Sequence, residues 1–177
     1  MVMYYAGDIK PFSCKADYER MIDYFLQADQ KFLISMGVDP GKLPTRKDWL
    51  DRLLPDLERT DCEKQTYFLS WLYNGVAIGH SNVNKIKYGE EAYIHLHIWA
   101  PEHRKVGIGT EFLRKSANAF IRKFALKSLC CEPYAENPAA NRVLSKVGFR
   151  FIRRYRTVPG LINFDQEVNQ YVIQHEI

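Results

Sequence analysis

The sequence predicts an α/β (α+β) fold: a mixed, mostly antiparallel central sheet flanked by helices, with one parallel strand pair within it. Three observations carry this. Residues 93–99 alternate, placing Ile94, Leu96 and Ile98 on one strand face and Tyr93, His95, His97 and Trp99 on the other. Asn74-Gly75 separates two apolar runs and is a two-residue hairpin signal, which means antiparallel pairing. A helical pattern (Phe112, Leu113, Ala117, Phe120, Ile121, Phe124) lies between the 93–99 strand and a second apolar run at 127–132. A strand, crossover helix and strand in that order make the two strands parallel.

The elements follow in chain order. Residues 2–12 are read as a first strand, with Asp8 and Pro11 near its end. Asp17 is placed as the cap of a helix running to about Lys31, with Tyr18, Met21, Ile22, Phe25 and Phe32 as its apolar stripe. Residues 37–44, GVDPGKLP, are dense in turn formers, and Thr45 precedes a second helix bearing Trp49, Leu50, Leu53 and Leu54 that stops near Pro55. Residues 65–73 and 76–87 are the arms of the Asn74-Gly75 hairpin. Tyr88-Gly89-Glu90 turns into the histidine-bearing strand, which Pro101 ends by removing a backbone donor. After the long helix and the 127–132 strand comes a short helix, and residues 149–155 and 163–174 form a final hairpin.

Composition sets the frame. The chain has 177 residues, 46% hydrophobic and 26% charged, which suits one domain spanning 1–177. No apolar run is long enough to cross a bilayer, and no signal peptide is expected. A net charge of +4 is too mild to argue for nucleic acid. Cys14, Cys62, Cys130 and Cys131 contain no CxxC spacing for a metal, and the adjacent pair does not readily bridge itself. A reduced, cytoplasmic protein with no metal is the expectation. The run Arg142, Lys146, Arg150, Arg153, Arg154, Arg156 reads first as a solvated face. Its functional alternative is contact with a phosphate or an acidic acceptor.

The densest chemistry lies just after the histidine-bearing strand, in Arg104, Lys105, Val106, Gly107, Ile108, Gly109 and Thr110. Two glycines two apart permit a tight turn and a close anion. The following helix offers unpaired amides and the positive end of its dipole, and Arg104 and Lys105 add charge, so a pyrophosphate is the ligand this turn suits. The dinucleotide GxGxxG pattern lacks its third glycine, and the Gly-Lys-Ser/Thr ending of the ATP loop is missing.

Arg-x-x-Gly-x-Gly between a strand and a long helix resembles the GNAT acyltransferase superfamily. So does the later segment ENPAANRVLSKVGF, with Asn137, Leu144 and Gly148-Phe149. The resemblance implies that the two parallel strands splay apart and that a pantetheine arm lies in the gap. It implies acetyl-CoA as co-substrate, and direct attack by an amine in a ternary complex. Cofactor contacts carry over to Ile98, Trp99, Arg104, Lys105, Val106, Gly107, Ile108, Gly109, Thr110 and Asn137, with a backbone amide near Ile98 or Trp99 as oxyanion donor. HLHIWAPE and EPYAEN further resemble the siderophore-type acyltransferases that act on hydroxylated lysine, although Tyr134 stands where those carry aspartate. Branches that acetylate aminoglycosides or ribosomal-protein N-termini stay open.

Amine acylation needs a base, an oxyanion donor and an acid for the leaving thiolate. Histidine titrates near neutrality, so His95 and His97 are the candidate bases. Many superfamily members carry a tyrosine where this chain has Leu144; Tyr134, Ser145 or water is left to protonate the thiolate. The expected partner is a small-molecule amine, with no nucleic acid, no membrane and a homodimer left open. The competing readings are a non-catalytic coenzyme A or ligand-binding module and a protein N-terminal acetyltransferase.

Overall fold

The computed structural model describes residues 7–104 and 107–174. Seven strands form one sheet: β1 (Gly7–Pro11), β2 (Thr66–Tyr73), β3 (Val76–Lys87), β4 (Glu91–Ile98), β5 (Ser128–Cys131), β6 (Arg150–Thr157) and β7 (Gln166–Gln174). Their order is β1-β2-β3-β4-β5-β7-β6, antiparallel except for the β4–β5 pair. One sheet face carries α1 (Lys15–Leu26), α2 (Gln30–Ser35) and α3 (Arg46–Leu53); the other carries α4 (Ile108–Phe124) and α5 (Pro138–Val147).

The first strand begins at Gly7, and residues 2–6 of the expected strand lie outside the described residues. The first helical region differs from expectation. Asp17 is not the cap but the third helical residue, and its carboxylate accepts the backbone N–H groups of Ser13 and Cys14. The helix stops at Leu26, and Asp29 caps a separate α2 through the amides of Lys31 and Phe32. A capping aspartate in mid-pattern restarts the helix, which a continuous apolar stripe conceals. Thr45 caps α3 as its sequence implies, accepting from the Asp48 amide. Asn74 and Gly75 both take positive φ, 49° and 79°, the conformation a two-residue hairpin turn requires.

Two features fix the sheet centre. Trp71, Ser81 and Ser116 are buried and mutually hydrogen-bonded, with the indole N–H 3.1 and 3.0 Å from the two hydroxyls and the hydroxyls 2.7 Å apart. This locks β2, β3 and α4 together with no polar group unpaired. Gly79 allows β3 to lie hard against β4, since a Cβ there would sit 2.4 Å from the His97 carbonyl oxygen. Opposite it, Ile78 is the extra residue of a bulge, because Trp71 pairs with Gly79 and Leu72 with Ala77.

The splay is directly visible. β4 and β5 pair only from Glu91 to Tyr93, leaving the rest of β4 without a partner on that side. Beyond Cys131 the chain follows β7 instead: the Asn169 N–H donates to Pro133, and the Ala135 N–H to Glu167.

Gly79→Ala tests the tight β3–β4 approach. The added methyl must push back the backbone of His97, and the expected loss of unfolding free energy is about 1–3 kcal/mol by chemical denaturation. Unchanged stability would show that β4 yields there at no cost.

Candidate active site

β3 and β4 together place three imidazoles on the sheet face beneath α1–α3. His80 pairs across the strands with His97 and Asn82 with His95, so period-2 alternation puts all four on one face. The His80 and His97 rings stack, with centroids 5.0 Å apart and planes 18° from parallel, and Phe25 meets His97 edge-on at 5.0 Å. The alternation of 93–99 made His95 and His97 legible. His80 was missed, although its signal, a histidine at the matching position of the preceding strand, lies in the sequence.

The ring protons follow from the partners. The Trp99 indole N–H donates to His80 Nδ1 at 2.8 Å; an indole nitrogen only donates, so His80 carries its proton on Nε2. His95 Nε2 lies 3.2 Å from Asn84 Oδ1, which puts the His95 proton on Nε2 and the lone pair on Nδ1. The Tyr24 hydroxyl contacts Met36 Sδ at 3.2 Å and His97 Nδ1 at 3.4 Å. A thioether only accepts, so the hydroxyl that donates to sulfur receives from His97, and His97 Nε2 keeps its lone pair.

All three histidines are held neutral. Burial is the main cause at each. It lowers His95 to about 4, helped by the Lys85 charge, and His97 to about 3, helped by His95 and Arg104. His80, fully buried, lies well below its ordinary value for the same reason, with His97 and His95 as secondary causes.

His80, His95 and His97 line a chamber of about 390 Å³. Its walls are Met21 and Phe25 of α1, Trp49 and Leu53 of α3, and Phe68 of β2. Its far end is Cys131–Tyr134, Asn137 and Ala140, so it reaches into the gap between β4 and β5. The roof is the β6–β7 connection, tied to the loop after α2: the Asp39 N–H donates to Ile162, Asn163 Nδ2 to the Gly37 carbonyl at 2.8 Å, and Gln166 Nε2 to the same carbonyl at 2.7 Å. Tyr24 and Trp99 also border a more open depression of about 640 Å³ on the other side of His97 and His80.

The glycine turn that the sequence offers for an anion lies at the far end of β4. Gly107, in the left-handed region at φ 84°, caps α4, and the space a Cβ would enter is open. The Thr110 N–H bonds back to Gly107, leaving the amides of Ile108 and Gly109 as the unpaired donors of the helix start. Gly109 has ordinary φ, and a Cβ there would meet only Ile98 at 3.5 Å and Val143 at 3.9 Å, so its smallness is not required by these neighbours. Lys105 and Val106 lie outside the described residues. Arg104 turns back onto β4, donating to the Ile98 carbonyl at 3.1 Å and the Trp99 carbonyl at 2.9 Å, with its guanidinium 4.2 Å over Phe32.

The two oxyanion candidates separate. The Trp99 N–H is committed to the Ile78 carbonyl at 2.8 Å. Alternate residues of an antiparallel strand face opposite sides, so the Ile98 amide points away from β3 into the gap, as its Arg104-bound carbonyl does.

At the gap's other lip, Asn137 caps α5 by accepting from the Ala140 N–H at 3.3 Å. Tyr134 packs edge-on to Phe164 at 5.6 Å, and its hydroxyl has no hydrogen-bond partner among the described residues. Leu144 is fully buried in the core, and the exposed Ser145 hydroxyl is bonded to its own helix at Asn141. The Cys130 and Cys131 thiols are pushed up to about 11 and about 12, chiefly by burial, which disfavours a thiolate nucleophile. Among the described residues no group of histidines, cysteines and carboxylates could hold a metal ion, and no helix is long and apolar enough to cross a membrane. The arginines of β6 are largely engaged, Arg154 with Glu136 and Glu167, and Arg156 with Asp165, which fits a solvated face.

Three neutral histidines make stability depend on pH. The unfolded chain binds protons below about 6.5 that the folded chain refuses until about 4, so unfolding free energy falls as pH falls through that window. Denaturant midpoints at about pH 7 and about pH 5 should show this loss, and His97→Gln should shrink it. A flat profile would mean the rings protonate freely in the folded state.

The acetyltransferase (GNAT) domain profile matches residues 9–150. Among solved structures, spermidine N-acetyltransferase from Vibrio cholerae, in complex with CoA and spermine, is similar at TM-score 0.74 and 17% identity over 95% of each chain. An aminoglycoside acetyltransferase in complex with coenzyme A is similar at TM-score 0.73 and 15% identity, covering 96% of this chain and 95% of the other. A ribosomal alpha-N-protein acetyltransferase in complex with coenzyme A is similar at 0.73 and 13%, covering 98% and 96%. No curated protein sequence matches the chain. With the strand gap and the helix start that the profile's match contains, the chain belongs to the GNAT acetyltransferase family.

Proposed function

We propose that this protein moves an acetyl group from acetyl-CoA to a primary amine or hydroxylamine of a small molecule, by direct attack in a ternary complex. One observation carries the reading: a chamber floored by neutral imidazoles opens into the gap between β4 and β5. The pyrophosphate would sit on the Ile108 and Gly109 amides at the start of α4, with Thr110 beside it and Arg104 at the lip; Lys105 and Val106 are proposed as further contacts from the motif alone. The pantetheine arm would run along the free edge of β4 past Ile98 and Trp99, opposite Asn137.

An amine arrives mostly as ammonium and must shed a proton. The lone pairs of His95 Nδ1 and His97 Nε2 can accept it, and groups of pKa about 4 and about 3 hold it weakly, so they relay it toward solvent and do not store it. The amine nitrogen then attacks the thioester carbon, and the carbonyl oxygen gains charge against the Ile98 N–H. The carbon–sulfur bond breaks, and the thiolate takes a proton from Tyr134, whose hydroxyl is uncommitted, or from water. The buried Leu144 in the tyrosine position favours a second reading, a ligand-binding module without turnover.

Calorimetry with acetyl-CoA separates family likeness from function, and saturable binding is expected. Gly107→Val puts a branched side chain at φ 84° beside the unpaired amides, and should weaken acetyl-CoA binding by tenfold or more, about 1.4 kcal/mol. Undiminished affinity would remove the turn from the site. His95→Ala should lower kcat by about 100-fold with acetyl-CoA affinity retained. Because both rings stay neutral far below pH 7, kcat/KM should rise with pH along the amine's own ionisation and show no inflection near about 6.5. An inflection there would assign a freely titrating histidine to the step.

A further inference from the structure

We propose that the acceptor is an amine that carries its own anionic group, a carboxylate above all, and no second cation; this rests on the acetyl-transfer reading above. Three charged side chains line the chamber: Arg52, Lys85 and Glu132. Glu132 is the one acid among them. Its Oε1 already accepts the Tyr155 hydroxyl and, at 2.9 Å, Gln170 Nε2. Its other oxygen accepts no hydrogen bond among the described residues, so one carboxylate oxygen is left for a single ammonium, at the end of β5 where the gap begins.

The two cations are placed differently. Arg52 is exposed on α3 and has no acidic partner among the described residues. Lys85 has none either: its Nζ donates to the Pro159 carbonyl at 3.2 Å and lies 4.7 Å over the Tyr93 ring. Elsewhere many surface cations are matched, as Lys47 is with Asp51 and Lys123 with Asp61. At the chamber, two lysine or arginine charges stand against one half-occupied carboxylate, and the histidines add no positive charge to the floor.

A polyamine or an aminoglycoside would bring several ammonium groups into this space. Apart from Glu132, Arg52 and Lys85 the polar lining is neutral, with Asn82, Asn84, Asn137, Asn163 and Gln166 among it beside the imidazoles. A second ammonium would lose its hydration without a counter-charge and would meet Arg52 or Lys85. A carboxylate has the opposite balance: Arg52 and Lys85 offer it positive charge that no acid among the described residues neutralises. The volume, about 390 Å³, lies at the small end of ordinary ligand sites and suits a compact amine.

The test is equilibrium binding to the chain loaded with coenzyme A, using matched probes. L-Phenylalanine, L-leucine and L-methionine are set against phenethylamine, isoamylamine and 3-(methylthio)propylamine, with spermidine as the polycation. Each carboxylate-bearing probe should bind at least about tenfold more tightly than its counterpart and than spermidine. Arg52→Glu/Lys85→Glu, both exposed positions, should erase or reverse that order with the thermal midpoint little changed. Lys85→Gln alone should weaken the preference if the double variant fails to fold. Equal binding within pairs, tighter binding of spermidine, or no binding by any carboxylate-bearing probe overturns the inference. Failure of coenzyme A itself to bind sinks the acetyl-transfer reading, and this inference with it.

Discussion

The structure turns on the divergence of β4 from β5. Parallel pairing between them lasts three residues, and then each strand keeps to its other neighbour. β4 stays with β3 as far as the Trp99 N–H on the Ile78 carbonyl. The chain leaving β5 reaches Pro133, which has no N–H to offer β4, and runs on beside β7 through the Tyr134–Val168 bridge and the Ala135 N–H on Glu167. The Asn141 side chain holds this arrangement, donating to the Tyr134 and Asn137 carbonyls and accepting from Asn169. An unpaired row of β4 backbone groups is normally a liability in a sheet interior. Here it faces the slot that opens between β4 and β5, where the proposed pantetheine arm would lie.

The chamber beside that slot is built to be electrically quiet. Stacking His80 on His97 is tolerable only while both are neutral, since two imidazolium rings 5.0 Å apart in a buried setting would repel. The Trp99 indole commits His80 Nδ1, and the Tyr24 hydroxyl commits His97 Nδ1. Fixed tautomers turn two rings of similar chemistry into distinct parts. His80 becomes a packed support, and His97 keeps a lone pair on Nε2. Asn84 does the same for His95 with the opposite nitrogen. The floor therefore offers proton acceptors whose orientation is set before any ligand arrives.

Much of this was legible in the sequence, for reasons that are local. Alternation at 93–99 placed the two β4 histidines, the helical pattern placed α4, and the strand, glycine turn and helix order placed Gly107 at the start of α4. What was not legible depends on contacts distant in sequence. β7 lies between β5 and β6, an insertion no hairpin signal reveals, and it is β7 that the chain follows once β5 has left β4. The roof over the chamber joins Gly37 to Gln166 across more than a hundred residues. Gly37 is required there: its φ is 82°, and a Cβ would fall 2.2 Å from the Gln166 amide oxygen. Asp29 split one apolar stripe into two helices, because a cap overrides periodicity. His80 was available to period-2 reasoning, but only once the β3–β4 register was known.

Leu144 shows how the chain departs from its family at one step and what that requires. A tyrosine there would need an open path from α5 to the gap. Instead the position is fully buried and packs with Phe149, Leu129 and Phe124 in the core behind the sheet. Reverting it would place a hydroxyl among apolar side chains with no partner in reach. On the proposed acetyl transfer the proton for the leaving thiolate would come from the chamber side of the gap, where Tyr134 stands at the turn after β5 with its backbone pinned by Val168, Asn137 and Asn141. The phenol on that rigid turn has no competing hydrogen bond among the described residues, which is what the proposal of Tyr134 as thiolate donor, with water as its alternative, rests on.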